Sequence, residues 1–232
     1  MQNAAELWCW RHPPARGASG RCIGRTDLSA DPRKAKRLAH RIRTAARRHE
    51  LPHAVWVSPL HRALAVGRWL QQWGWRLQVD ARLCEMDFGV WDGKPWADVP
   101  WAEVEAWQED LLHHAPGGGE SLQQVAARVQ AFVANVGPSP CLLVSHGGWI
   151  NALLHVPPGL QELPANAWPA PPRHGSLTQL DIAGQPRRPA TADRAQSRFS
   201  AAALPSVARA SRGGAVLTIV TPSNPRPHSP VP

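Results

Sequence analysis

Short apolar runs alternate along this chain with longer stretches whose apolar residues recur every third or fourth position. Leu7-Trp8-Cys9-Trp10, Ala54–Val57 and Cys141–Val144 are runs of the first kind, too short for helices and read as buried strands; Leu177–Ile182 is a last strand. Asp31-Pro32 opens a helix, a capping carboxylate followed by proline at the first helical position. Leu38, Ile42 and Ala45 share one face of it, while Arg41, Arg43, Arg47 and Arg48 coat the others. Leu60, Leu64 and Trp69–Leu70 suggest a second helix, and Gly148–Leu154 a short one. Ser121 caps the clearest helix: Leu122, Val125, Ala126, Val129, Phe132, Val133 and Val136 form one apolar stripe. Residues 13–30 have no periodicity and read as a loop. Strands alternating with amphipathic helices predict an α/β domain with a mostly parallel sheet.

The pattern stops after about Ala183. Eight prolines and seven arginines follow among alanine and serine, and only Ala215–Val220 is apolar enough for a strand. The expected organisation is therefore one domain over 1–184 and a disordered tail over 185–232. This division changes the meaning of the net charge. The tail's seven arginines against Asp193 carry +6 of the formal +9, leaving +3 for the rest, a modest value for a domain that binds an anion. Nucleic-acid binding is not expected beyond weak electrostatic adhesion of the tail. Cys9, Cys22, Cys84 and Cys141 lack the paired spacing of a zinc or dithiol site. No leader pattern and no run near the ~20 apolar residues of a membrane span is present. A reduced, cytoplasmic protein is expected, its oligomeric state open.

Two of the strand runs deliver a histidine where they stop, at Arg11-His12 and at Ser145-His146-Gly147. Ligands of open α/β sheets bind beyond the carboxyl ends of strands, so His12 and His146 meet if both runs belong to one sheet. Between them lie Ser58-Pro59-Leu60-His61-Arg62-Ala63 and the stretch Leu83–Gly93, which contains Glu85. Two arginines, two histidines and a glutamate suit a phosphate monoester. Each alone has a bland reading: a structural histidine at a strand end, a solvated arginine, a capping glutamate. Their order and their placement at element ends single them out.

Together these segments resemble the histidine phosphatase superfamily, over roughly residues 6–183. The signature is an Arg-His pair after the first strand, an S-x-L-x-R-A helix start, a glutamate before a Phe-Gly turn and a Ser-His-Gly after a later strand. The resemblance implies the phosphoglycerate-mutase-like fold, a three-layer α/β/α sandwich around a mostly parallel sheet. It also implies catalytic His12, Glu85 and His146, with Arg11, Arg62, His146 and Gly147 binding phosphate. His12 would become a phosphohistidine and Glu85 would protonate the leaving oxygen, with no metal and no cofactor. Two positions depart from the family: Pro13, which has no N–H, replaces glycine, and Ala18 replaces asparagine. Arg16, Arg25 or backbone N–H groups around Gly17 to Gly20 are the candidates to replace those donors.

Mutases of the superfamily carry a Tyr-Gly turn and a long basic insertion. Here the turn is Phe88-Gly89, and between Gly93 and Glu120 the basic residues are Lys94, His113 and His114. That favours a phosphatase acting on a small-molecule monoester. Gly24-Arg25-Thr26-Asp27-Leu28, the Glu85–Gly93 turn and Gly118-Gly119-Glu120-Ser121 look most like the α-ribazole phosphatase group of cobalamin biosynthesis. The alternatives are a broad-specificity sugar-phosphate or phosphoglycerate phosphatase or mutase, and a non-enzymatic phospho-ligand binder, which Pro13 and Ala18 would suit. Trp96, Trp101 and Trp107 either stack on a ligand base or bury a helix face, and the spacing favours the core.

Overall fold

The computed structural model describes residues 6–181 and the backbone of 185–186. Its strands are β1 (Glu6–Arg11), β2 (Ala54–Val57), β3 (Arg76–Val79), β4 (Cys141–Ser145), β5 (Leu177–Asp181) and β6 (Gln185–Pro186). The α-helices are α1 (Pro32–Arg48), α2 (His61–Gln72), α3 (Trp101–Glu109), α4 (Leu122–Val133) and α5 (Gly147–His155). The sheet order is β3-β2-β4-β1-β5-β6. β1 to β4 run parallel, while β5 is antiparallel to both of its neighbours.

Side chains alternate across the strands, and so build two cores. Trp8, Trp10, Val55, Val57, Leu142 and Val144 face Leu38, Ile42, Val66 and Leu70 of α1 and α2. Leu7, Cys9, Cys141 and Leu143 face Val125, Val129 and Phe132 of α4 and Ile150 of α5. The result is an α/β/α sandwich with a mostly parallel sheet, as expected. Gly67 lets α2 lie close to the sheet, since a Cβ there would stand 2.6 Å from Leu77 Cδ1 and 2.9 Å from Val57 Cγ1.

The caps follow the expected chemistry. Asp31 accepts from the Arg33 and Lys34 N–H groups, with Pro32 opening α1. Ser121 and Gln124 form a reciprocal capping box on α4, an arrangement contributing about 1 kcal/mol. α4 ends at Val133, so Val136 lies beyond the helix, its N–H closing a turn on Val133 O. α3 and β3 are additions to the expected elements. α3 has no side-chain cap and buries only Val104 and Trp107, too little for a periodic signal. The expected tail, Ala215–Val220 included, lies outside the described residues apart from β6, whose backbone pairs with β5. No helix among the described residues is long and apolar enough to cross a membrane.

Candidate active site

Strand register decides where the two histidines go. Arg11 of β1 stands opposite Ser145 of β4, so His12 and His146 leave the sheet together at its carboxyl edge. The His12 N–H donates to Ser145 O at 2.9 Å, and the two ring centroids are 4.8 Å apart. Arg62 enters from the first turn of α2, where Asp27 accepts from the His61 N–H. Glu85 follows β3 on an irregular segment. Arg11, His12, Arg62, Glu85 and Gly147 line one cavity of about 350 Å³. His146 is fully buried beside His12 and does not itself line it.

Hydrogen bonds fix the state of each group. His12 Nδ1 donates to Pro13 O at 2.6 Å; a carbonyl only accepts, so the proton sits on Nδ1 and Nε2 keeps its lone pair. Proline at position 13 thus loses an N–H but retains the atom that orients the histidine. Burial, and then the charge of Arg62, hold the His12 pKa well below the ordinary histidine range. Burial also lowers His146, helped by His12 and Arg62. Arg62 donates to Gly24 O at 2.6 Å and Thr26 O at 2.9 Å, which aims a buried guanidinium. Arg11 Nη1 donates to Pro172 O at 2.6 Å. Arg11 Nε and both His146 ring nitrogens are buried without a partner. Orphaned buried donors beside a basic cavity are what a bound anion would satisfy. Glu85 accepts from the Gly148 N–H at 3.1 Å through Oε2 and from the Met86 N–H at 3.1 Å through Oε1.

The model of the histidine phosphatase superfamily (branch 1) matches residues 7–192. The chain belongs to that superfamily. Among curated proteins, the glucosyl-3-phosphoglycerate phosphatase of Mycobacterium tuberculosis is 37% identical over 124 residues, 47% of this chain and 53% of that protein. The adenosylcobalamin/alpha-ribazole phosphatase of Escherichia coli is 31% identical over 114 residues, 46% of this chain and 55% of that one. The chain thus spans about half the length of these curated relatives. The solved mycobacterial glucosyl-3-phosphoglycerate phosphatase has a TM-score of 0.57 at 28% identity, covering 78% of this chain and 94% of that one. A crystal structure from Thermus thermophilus gives 0.58 at 26%, covering 79% and 97%.

Around this cavity, several side chains matter to which the motifs assign no role. Arg128, on α4, donates to the carbonyls of Arg82, Cys84 and Glu85 and to the Glu120 carboxylate, so it holds the segment that carries Glu85. Asp92 accepts from Gly24, Arg25 and Thr26 N–H and from the Thr26 hydroxyl, shaping the loop whose carbonyls aim Arg62. His174 also lines the cavity, its ring centroid 5.2 Å from that of His12. In sequence, Arg128 looks like any cation on the polar side of an amphipathic helix, His174 sits in a loop without a pattern, and nothing in the Glu85–Gly93 turn marks Asp92 as an anchor for residues 24–26. Neither Arg16, paired with Asp31, nor Arg25, paired with Glu120, is on the cavity wall, nor are Gly17 and Gly20. Arg21 is. The three tryptophans divide: Trp96 and Trp107 line the cavity, Trp107 while belonging to the core, and Trp101 is exposed.

Proposed function

We propose that this chain hydrolyses phosphate monoesters through a phosphohistidine at His12. The observation that carries the reading is the His12 ring, its proton held on Nδ1 by the Pro13 carbonyl and its Nε2 left free at a cavity lined by Arg11, Arg62 and Glu85. The Nε2 lone pair attacks phosphorus as the ester P–O bond breaks, and Glu85 gives its proton to the departing alcohol. Water then attacks the phosphohistidine, losing a proton to Glu85 and restoring His12. Arg11 and Arg62 supply the fixed positive charge that the equatorial oxygens need in the transition state and the neutral His146 ring adds one N–H donor, with Gly147 keeping the approach open. A Cβ at Gly147 would stand 3.2 Å from Arg11 Cζ. The chemistry uses side chains alone and calls on no metal.

The rest of the cavity favours an uncharged alkyl alcohol that carries an aromatic base. Ile23, Met86, Phe88, Trp96, Trp107 and Trp168 form walls that suit a base such as dimethylbenzimidazole, as in α-ribazole 5'-phosphate or the corresponding cobalamin phosphate. The second reading is glucosyl-3-phosphoglycerate, the substrate named for the 37% identical relative. Among the described residues, its carboxylate would find one further arginine on the cavity wall, Arg21, besides Arg11 and Arg62. A phosphate-release screen over α-ribazole phosphate, glucosyl-3-phosphoglycerate, sugar phosphates and p-nitrophenyl phosphate tests both, together with acid-stable and acid-labile phosphate labelling of His12→Ala. Acid-labile label on the wild type and none on His12→Ala are expected. Full activity of His12→Ala would remove the mechanism, and a strong preference for the glycerate ester would remove the aromatic substrate.

A further inference from the structure

His174 is a polar side chain of the cavity wall that the family signature leaves without a task. It is second in the turn Arg173-His174-Gly175-Ser176, closed by the Ser176 N–H donating to Arg173 O at 3.0 Å. Gly175, the third residue, has a φ of +73°, as a type II turn requires. The turn is stitched to the nucleophile's own strand. The Arg11 N–H donates to Ser176 O at 3.1 Å, and the Gly175 N–H to Arg11 O at 2.9 Å. His174 Nδ1 meets His12 O at 3.0 Å. Because that carbonyl can only accept, Nδ1 carries a hydrogen, and Nε2 is the nitrogen free to gain or lose a proton.

Pro13 has no N–H and Ala18 no side-chain donor to offer the anion, so a further one has a place to act. Burial, then Arg11, Arg62 and Lys34, hold the His174 pKa below the ordinary histidine value, while the His12 carbonyl pulls the other way. Those charged groups come from β1, α2 and α1, and Glu85 is the carboxylate of the same cavity. With no anion bound, His174 is therefore a neutral imidazole near neutral pH. A bound dianion reverses the balance, since opposite charge nearby favours the imidazolium. We propose that His174 is a phosphate-binding residue that takes up a proton as the anion binds, anchored through Nδ1–H on His12 O and donating Nε2–H to a phosphate oxygen. No covalent bond changes; the proton comes from solvent and returns to it on release. The proposal rests on the reading of this cavity as a phosphate-monoester site.

Sulfate is the probe, because it stays a dianion across the working pH range and any proton taken up must land on the protein. Calorimetric titration of the full chain in buffers of different ionisation enthalpy should show about one proton bound per sulfate near neutral pH. Affinity should fall about tenfold per pH unit above the free histidine's pKa. His174→Asn, which keeps a side-chain N–H for His12 O, should bind sulfate more weakly with no proton uptake. Without any substitution, the ring nitrogen shifts of His174 should move to those of an imidazolium when sulfate is added. A neutral His174 ring in the complex, or proton uptake that persists in His174→Asn, overturns the proposal by placing the proton on His12 or His146. A wild type that shows the uptake but turns over no monoester would sink the phosphatase reading and leave this one standing.

Discussion

Gly148 lies where a Cβ would stand 2.6 Å from Glu85 Oε1, while its N–H holds the other carboxylate oxygen. The close approach involves the free end of a side chain, so the carboxylate, not the backbone, would give way. Gly148→Ala should therefore leave stability unchanged or raise it by up to about 1 kcal/mol, since alanine favours a helix. It should slow turnover of alkyl phosphates about 10- to 100-fold, as a displaced acid no longer reaches the leaving oxygen. p-Nitrophenyl phosphate, whose leaving group needs little protonation, should lose much less. Equal losses on the two substrates would show that Glu85 is not the acid. At this scale the residues that converge at the cavity were legible, because their order and their placement at element ends single them out together although each alone has a structural reading. The orienting carbonyl of Pro13 was not, because backbone atoms carry no residue identity.

Arg128 joins α4 to the segment between β3 and α3 through three carbonyls and the Glu120 carboxylate. Only a planar fork reaches all of these partners at once, so Arg128→Lys keeps the charge and loses the geometry. The expected cost is about 1–3 kcal/mol in urea denaturation, for a side chain only 14% exposed. Turnover should fall alongside, since the same bonds set the position of Glu85. A variant with wild-type midpoint and rate would show that the fork is dispensable. Elements with long apolar stripes or side-chain caps, α1 and α4, were readable from the chain, as were the apolar strands β1 and β4. β3 (Arg-Leu-Gln-Val) and α3 were not, because an edge strand and a short helix with two buried residues need neighbours to define them.

Across the whole molecule, burial keeps His12 and His146 neutral, whereas the unfolded chain protonates them in the ordinary histidine range of about pH 6.5. The unfolded state therefore binds more protons as pH falls. The stability is full above that range and is lost as pH drops below it towards the lower folded values. The urea midpoint should decrease between about pH 7.5 and about pH 5.5. A constant midpoint would show that these rings titrate as exposed ones do. Charge is also sorted by the fold: α1 has eight arginines and lysines and no acidic residue, which places a strongly basic layer on one side of the sheet. The sum over the chain hides this, because summation discards position. The order of residues by itself determined the alternation of strand and helix, the caps, and the five side chains fit for phosphate. Their convergence was a matter for the tertiary structure. Pairing β1 with β4 sets His12 beside His146 across 134 positions of chain, and the turn before β5 brings His174 to the same cavity. Local composition selects local geometry, but which strand ends become neighbours depends on the packing of the whole sheet.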